Sequence, residues 1–277
     1  MTATFTTMTP FGVEAAGVSG DRLADRDAAE ECRDALGEHG VVIYRGIGIG
    51  DDDLVAFTRL LGEPVVAKTA EHRHPEIDTI TLDPSKAGAV LSSYRQGNFL
   101  WHIDGATRDL PQKATLLVAR EVDPAGGDTE FTNTYLAYEA LPEETKAEIG
   151  ALQVRHSFAT AQARVHPDAT ADERAAWEQV SDKIHPLVWT HRNGRKSLLI
   201  GSTAGEVVGM DAAQGQALLT RLLDWATQPR FTLRHQWRRG DLVIWDNTGM
   251  LHRALPFEPT SRRLLHRTTL VGEEAVA

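Results

Sequence analysis

Short apolar segments separated by polar turns run along most of this chain. Phe11 to Ser19 mixes apolar residues with glycine and predicts a short opening strand. From about Asp25 to His39 the apolar positions take helical spacing, with Ala28, Cys32, Ala35 and Leu36 on one side and Gly40 as the stop. Val41-Val42-Ile43-Tyr44 is a β-branched run that predicts a buried strand. After a loop from Gly46 to Gly50, Asp51-Asp52-Asp53 places acids at the positive end of a second helix, a simpler reading than a cation site. Leu54, Phe57, Leu60 and Leu61 form the stripe of that helix, and Gly62 ends it.

Glu63 to Gly97 alternates short strands with turn signals, with a strand over Ile77 to Leu82 and a turn over Pro84 to Gly88. Thr115 to Ala119 predicts another strand. The turn from Pro124 to Thr129 feeds one over Glu130 to Thr132. Pro142 opens a helix that reaches about Leu152, because a proline early in a helix loses no needed N–H. Ala159 to Lys183 is polar and long for a connection, so it predicts an insert or lid containing a helix over Asp172 to Val180. Leu187 to Thr190 and Ser197 to Ile200 pair across Asn193-Gly194. Asp211 to Thr227 is the clearest helix, with Leu218, Leu219, Leu222 and Trp225 on one face. Three strands close the chain: Phe231 to Trp237, Asp241 to Trp245 and Arg262 to Val271. The pattern predicts one domain over residues 1–277, mainly β with flanking helices, built as a sandwich or jelly roll.

The chain has 277 residues, enough for a substantial core, and a net charge of −10, which argues against a nucleic-acid partner. A locally basic pocket for a small anion remains compatible with that charge. Cys32 is the only cysteine, so neither an internal disulfide nor a thiolate metal site can form. Met1 to Pro10 lacks the basic and apolar regions of a signal peptide, and no apolar run is long enough to span a membrane. The expected location is the cytoplasm.

The candidate chemistry begins at Trp101-His102-Ile103-Asp104. On an extended strand His102 and Asp104 project to the same side. With His252 as a third ligand they would make two histidines and a carboxylate on one face of an ion, the usual arrangement of a non-haem Fe(II) oxygenase. His252 follows the buried run Leu242 to Trp245 and a turn, which would put it at a sheet end. A surface or core histidine is the plainer reading, since most of the 11 histidines must be structural. Arg262 to Arg267 is the other informative stretch. In a strand Arg263, Leu265 and Arg267 share one face and Arg262, Leu264 and His266 the other. Inward arginines would need anions to meet them, and a guanidinium fork suits a carboxylate or sulfonate. An edge strand turning its basic residues to water fits the pattern equally well.

Several of these stretches together resemble the taurine dioxygenase/2,4-dichlorophenoxyacetate dioxygenase (TauD/TfdA) family. They are Gly40 to Gly46, Trp101 to Asp104, Gly126 to Thr129, Gly194 to Gly201, Trp245-Asp246-Asn247 with His252-Arg253-Ala254, and Arg263 to Arg267, and they span nearly the whole chain. The resemblance implies a double-stranded β-helix carrying an Fe(II)- and 2-oxoglutarate-dependent oxygenase. It implies His102, Asp104 and His252 as iron ligands, and Thr129 and Arg263 as partners of the distal carboxylate of 2-oxoglutarate. It places Asn98, Ser157, Phe158 and Arg267 on the substrate side. It also implies a homo-oligomer acting on a small molecule, with no nucleic-acid or membrane partner. Two departures argue against taurine itself. Gly105-Ala106-Thr107 lacks the aromatic that the family often has there. The histidine that the taurine enzyme uses on its substrate has no secure match either: His72 and His74 fall near it but out of register, and Lys68 is the closer candidate.

The implied reaction consumes O2, converts 2-oxoglutarate to succinate and CO2, and hydroxylates a substrate carbon. The retained Asp104 favours hydroxylation over the halogenation seen in relatives that lack the carboxylate. Arg267 suggests an anionic substrate, such as a sulfonate, sulfate ester or aryloxy-carboxylate. Two alternatives use the same residues differently. A zinc hydrolase at the same three ligands would need neither 2-oxoglutarate nor Arg263. A non-catalytic jelly roll holding an anion on its arginines would not need His102.

Overall fold

The computed structural model describes residues 3–66, 72–83, 86, 95–123, 126–258 and 260–277. Its larger sheet has seven strands in the order Thr4–Thr7, Val13–Ala16, Val41–Tyr44, Leu242–Asp246, Ala114–Glu121, Leu264–Thr269 and Asp78–Ile80. A smaller sheet of three faces it, in the order Thr232–His235, Thr129–Asn133, Met250–Ala254. This is the jelly roll that the sequence predicts.

The central strands of the larger sheet are buried on both faces, which is why they read as continuous apolar runs. Val41, Ile43, Leu117, Val243 and Trp245 point between the sheets and meet Phe131, Leu233 and Met250. Their neighbours Val42, Tyr44, Leu116, Leu242 and Ile244 point outward under the helices Arg26–His39 and Asp51–Leu61. Each such aliphatic side chain contributes about 1.5–3 kcal/mol when fully buried. Gly40 ends the first helix in the left-handed region, at φ 75°, and a Cβ there would lie 2.5 Å from Met250 Cε. That glycine therefore lets the helix stop directly against the smaller sheet.

Several expectations need correction. Ala29 rather than Ala28 is buried in the first helix, because the stripe lies one position further on. Asp51, Asp52 and Asp53 do open the second helix, but no side chain caps it. Asp51 instead meets Arg120 and His266, and Asp52 meets Arg73 and His74. Pro142 sits at the N-cap of a shorter helix, Glu143–Ile149. The stretch from Ala159 to Lys183 carries two helices, Phe158–Val165 and Ala171–Glu178, with Gln162 and Trp177 buried. The predicted turn over Pro84 to Gly88 lies largely outside the described residues. Five strands have no counterpart in the sequence reading: Thr4–Thr7, Met250–Ala254, Gln153–His156, Lys183–Pro186 and Ala204–Val207.

One of these unforeseen strands ends in His156, which is fully buried and bonds Thr203 Oγ1 through Nδ1 at 2.9 Å. Burial, and then the nearby His185, hold its imidazole down to about 3. The unfolded histidine titrates near about 6.5, so below that pH the unfolded chain takes up a proton that the native state refuses. This contribution is complete above pH 6.5 and is lost progressively as pH falls towards 3. Between pH 7.5 and 5, wild type is expected to lose about 2 kcal/mol more stability than His156→Gln. Urea unfolding of both proteins at the two pH values measures the difference. Equal losses would show that the native state accepts the proton.

Candidate active site

His252 lies inside the Met250–Ala254 strand rather than beyond a turn. Its amide donates to His102 O at 2.9 Å, and the His102 amide donates to His252 O at 3.0 Å. This isolated bridge is all the strand that the Trp101–Asp104 stretch forms, because the chain turns from Asp104 through Gly105 at φ 81°. Trp101 and Ile103 point into the core while His102 and Asp104 turn to the other side, the alternation expected of extended backbone, before the chain turns away.

The two imidazole centroids stand 4.2 Å apart, and Asp104 Oδ1 lies 3.9 Å from the Nε2 atom of each. Those contacts are too long for hydrogen bonds. His102 Nδ1 bonds Leu100 O at 2.8 Å; a carbonyl can only accept, so Nδ1 carries a proton and Nε2 is the nitrogen left to act as a ligand. Burial, and then His102, hold His252 down to about 3, so His252 is neutral. Burial pushes Asp104 up, but Arg267, His252 and His102, together with Thr115, hold it at about 2. Two imidazoles and a carboxylate thus face one another with no hydrogen bond between them. A divalent cation is what that set of donors lacks, and all three ligand atoms lie within 4.8 Å of one another.

A chain of hydrogen bonds behind Asp104 was not foreseen. Thr115 Oγ1 donates to Asp104 Oδ2 at 2.9 Å, Asn247 Nδ2 donates to Thr115 Oγ1 at 2.8 Å, and Trp245 Nε1 donates to Asn247 Oδ1 at 2.7 Å. Every member of the chain has its partner, which fixes the carboxylate's orientation. Trp245-Asp246-Asn247 was visible as a motif, but only the fold gives Trp245 and Asn247 this role.

Three arginines enter the hollow beside these residues, two of them paired with carboxylates. Arg253 Nε donates to Glu130 at 2.8 Å, and Arg267 Nη2 donates to Asp78 at 2.9 Å. Arg263 is 3 % exposed, donates through Nε to Gly127 O at 3.1 Å and stacks on Phe257 at 4.7 Å. Among the described residues no carboxylate pairs with it. Burial pulls it down to about 10, still charged at neutral pH. A buried guanidinium without a counter-ion is costly and calls for an anionic ligand. Gly127 makes room for it, since a Cβ there would lie 2.7 Å from Arg263 Cδ. Thr129 also lines the hollow. Its Oγ1 accepts from Trp237 Nε1 at 2.9 Å and so keeps its own proton to donate. The strand faces fall as the alternation predicts: Arg263 and Arg267 point inward, while Arg262 is exposed and meets Glu121.

Asn98 lines the same hollow. Ser157 and Phe158 do not; Ser157 caps the helix Phe158–Val165 by accepting from the Thr160 amide at 3.4 Å. His72 and His74 are engaged elsewhere, at 3.3 Å from Asp51 and 2.8 Å from Asp52. Lys68 lies outside the described residues.

Against known proteins, the family model described as "Taurine catabolism dioxygenase TauD, TfdA family" matches residues 4–269. The chain belongs to the TauD/TfdA family. It is 35% identical over 272 residues to an alpha-ketoglutarate-dependent 2,4-dichlorophenoxyacetate dioxygenase of Burkholderia sp. (strain RASC), covering 91% of this chain and 90% of that one. It is 30% identical over 277 residues to an alpha-ketoglutarate-dependent sulfate ester dioxygenase of Pseudomonas putida, covering 96% and 88%. Among solved structures, AAD-2 in complex with Mn(II) and N-oxalylglycine superposes with a TM-score of 0.83 at 30% identity over the full length of both chains. The protein is accordingly an Fe(II)- and 2-oxoglutarate-dependent dioxygenase, which sets aside the zinc hydrolase and the non-catalytic binding protein. Among the described residues no helix is long and apolar enough to cross a membrane.

Proposed function

We propose that His102, Asp104 and His252 hold the iron of this dioxygenase, that Arg263 and Thr129 hold the distal carboxylate of 2-oxoglutarate, and that Asn98 and Arg267 face the substrate. The observation that carries the reading is Arg263, a buried charge that no carboxylate pairs with among the described residues, in the same hollow as His102 and His252. When bound there, Fe(II) with 2-oxoglutarate and O2 supplies the oxidant for hydroxylation, and 2-oxoglutarate leaves as succinate and CO2. The protein's own part is positional. Leu100 fixes the His102 tautomer, Thr115 orients Asp104, and Leu117 and Phe257 keep the hollow apolar beside the polar groups.

The substrate class is a small organic anion, an aryloxyalkanoate or a sulfate ester. The named activities of the relatives and the inward-facing Arg267 support this class. Hydroxylation of a carbon next to an ether or ester oxygen gives a product that collapses to a carbonyl compound and a leaving group. Ser157 is read as a helix cap rather than a substrate contact, and Phe158 goes with it. The single buried cysteine and the family resemblance support a cytoplasmic homo-oligomer formed of one domain per chain.

Anaerobic addition of Fe(II) and then 2-oxoglutarate is expected to give a weak visible charge-transfer band from the chelated oxoacid. Folded protein without that band would overturn the assignment of the ligands. Succinate formed across aryloxyalkanoates, sulfate esters, sulfonates and amino acids would then rank the substrates.

A further inference from the structure

The substrate-side arginine does not meet its ligand alone. Asp78 stands on the edge strand Asp78–Ile80, directly opposite Arg267 in the antiparallel register with Leu264–Thr269. Its Oδ2 accepts from Arg267 Nη2 at 2.9 Å. On the other side Arg267 Nη1 lies 3.8 Å from Asp104 Oδ2, and Nε is buried without a hydrogen-bond partner. The guanidinium is therefore flanked by two carboxylates and retains unused donors, the buried Nε–H among them.

A carboxylate or sulfate binds a guanidinium best through two parallel N–H bonds. The side fork uses Nε and Nη2, and the end fork uses Nη1 and Nη2. Nη2 belongs to both, so a carboxylate already bonded to it sits beside any anion that takes either fork. Two like charges at such spacing repel, more strongly in a half-buried pocket than in water. Asp104 cannot be spared, because it belongs to the metal-type triad. Asp78 is not one of the three ligand-type residues, and strand register holds it opposite Arg267.

We infer that Asp78 is a specificity-determining residue that competes with the substrate's anionic group for Arg267 and so weakens the preference of the pocket for anions. This rests on the reading of the substrate as an anion. The opposite role is equally concrete: if Asp78 served only to aim Arg267, removing its charge would weaken anion binding. The two roles therefore predict changes of opposite sign.

The test uses the full chain loaded with Mn(II) and N-oxalylglycine, an amide analogue of 2-oxoglutarate, with calorimetric titration of 2,4-dichlorophenoxyacetate and of its neutral methyl ester. Asp78→Asn is expected to bind the acid about five- to tenfold more tightly than wild type. Ester and N-oxalylglycine binding should stay within about twofold, because neither carries a charge to Arg267. Asp78→Ser, smaller and also uncharged, should behave alike and replaces the asparagine variant should that one fold poorly. A wild type that prefers the acid, with both variants binding it no better or worse, overturns the inference alone. Failure of wild type to bind the acid, or equal binding of acid and ester that Arg267→Gln leaves unchanged, overturns the anionic-substrate reading and the inference with it.

Discussion

Arg263→Ala is expected to weaken 2-oxoglutarate binding by about 100-fold or more, while Arg262→Ala leaves it within about twofold. The two residues are neighbours in sequence and both are arginines, so composition and net charge are matched. They differ in where the strand points them. Arg263 is buried over Phe257 with only the Gly127 carbonyl to receive a hydrogen bond, so a carboxylate ligand supplies its missing counter-charge. Losing one partner of a buried charged pair costs about 2–5 kcal/mol, much of it because the other charge is left unpaired. Arg262 has an 84 % exposed side chain and reaches Glu121 at 3.2 Å, where water screens the pair. Anaerobic titration of the charge-transfer band against 2-oxoglutarate concentration gives the two dissociation constants directly. Equal losses would mean that the distal carboxylate lies elsewhere.

The second large effect is expected at the metal. Asp104→Ala should abolish iron retention and turnover, whereas Thr115→Val should lower metal affinity by about 10–100-fold, the range typical of an outer-shell partner. The contrast follows from what each group supplies. Asp104 contributes the only negative charge among the three ligand-type side chains, and Arg267 is the first of the groups that hold that charge against the cost of burial. Thr115 contributes one hydrogen bond to its far oxygen and passes on the constraint from Asn247 and Trp245. Iron content after desalting, and competition with a calibrated chelator, separate the two cases. An Asp104→Ala protein that keeps its iron would remove the carboxylate from the site.

Much of this was legible in the sequence, for identifiable reasons. Val41–Tyr44 and Leu242–Asp246 were readable as strands because both faces of the larger sheet are covered, so every position had to be apolar. That Arg263 and Arg267 share a face followed from simple alternation, whereas the inward direction of that face did not. Met250–Ala254 was not readable as a strand, since Met-Leu-His-Arg-Ala has no β-branched residue and no alternation of polarity. Its extended form comes from pairing with Thr129–Asn133, which is a tertiary fact. The same limit hid Thr115 and Asp78. Nothing local marks either residue. Their roles arise because strand register sets Thr115 opposite Thr269 and Asp78 opposite Arg267. The three aspartates at Asp51 were legible as a helix start, yet their partners His72, His74 and Arg120 lie on distant segments.

The paired amide bonds between His102 and His252 bear on how the enzyme ages. Both imidazoles hang from a single rung of peptide groups, so their separation is fixed by the backbone before any ion arrives. Capturing iron therefore demands little ordering of the polypeptide. An enzyme that uses O2 at a ferrous ion will now and then lose that ion to oxidation. With that rung in place, fresh Fe(II) is expected to restore the centre without any refolding of the chain.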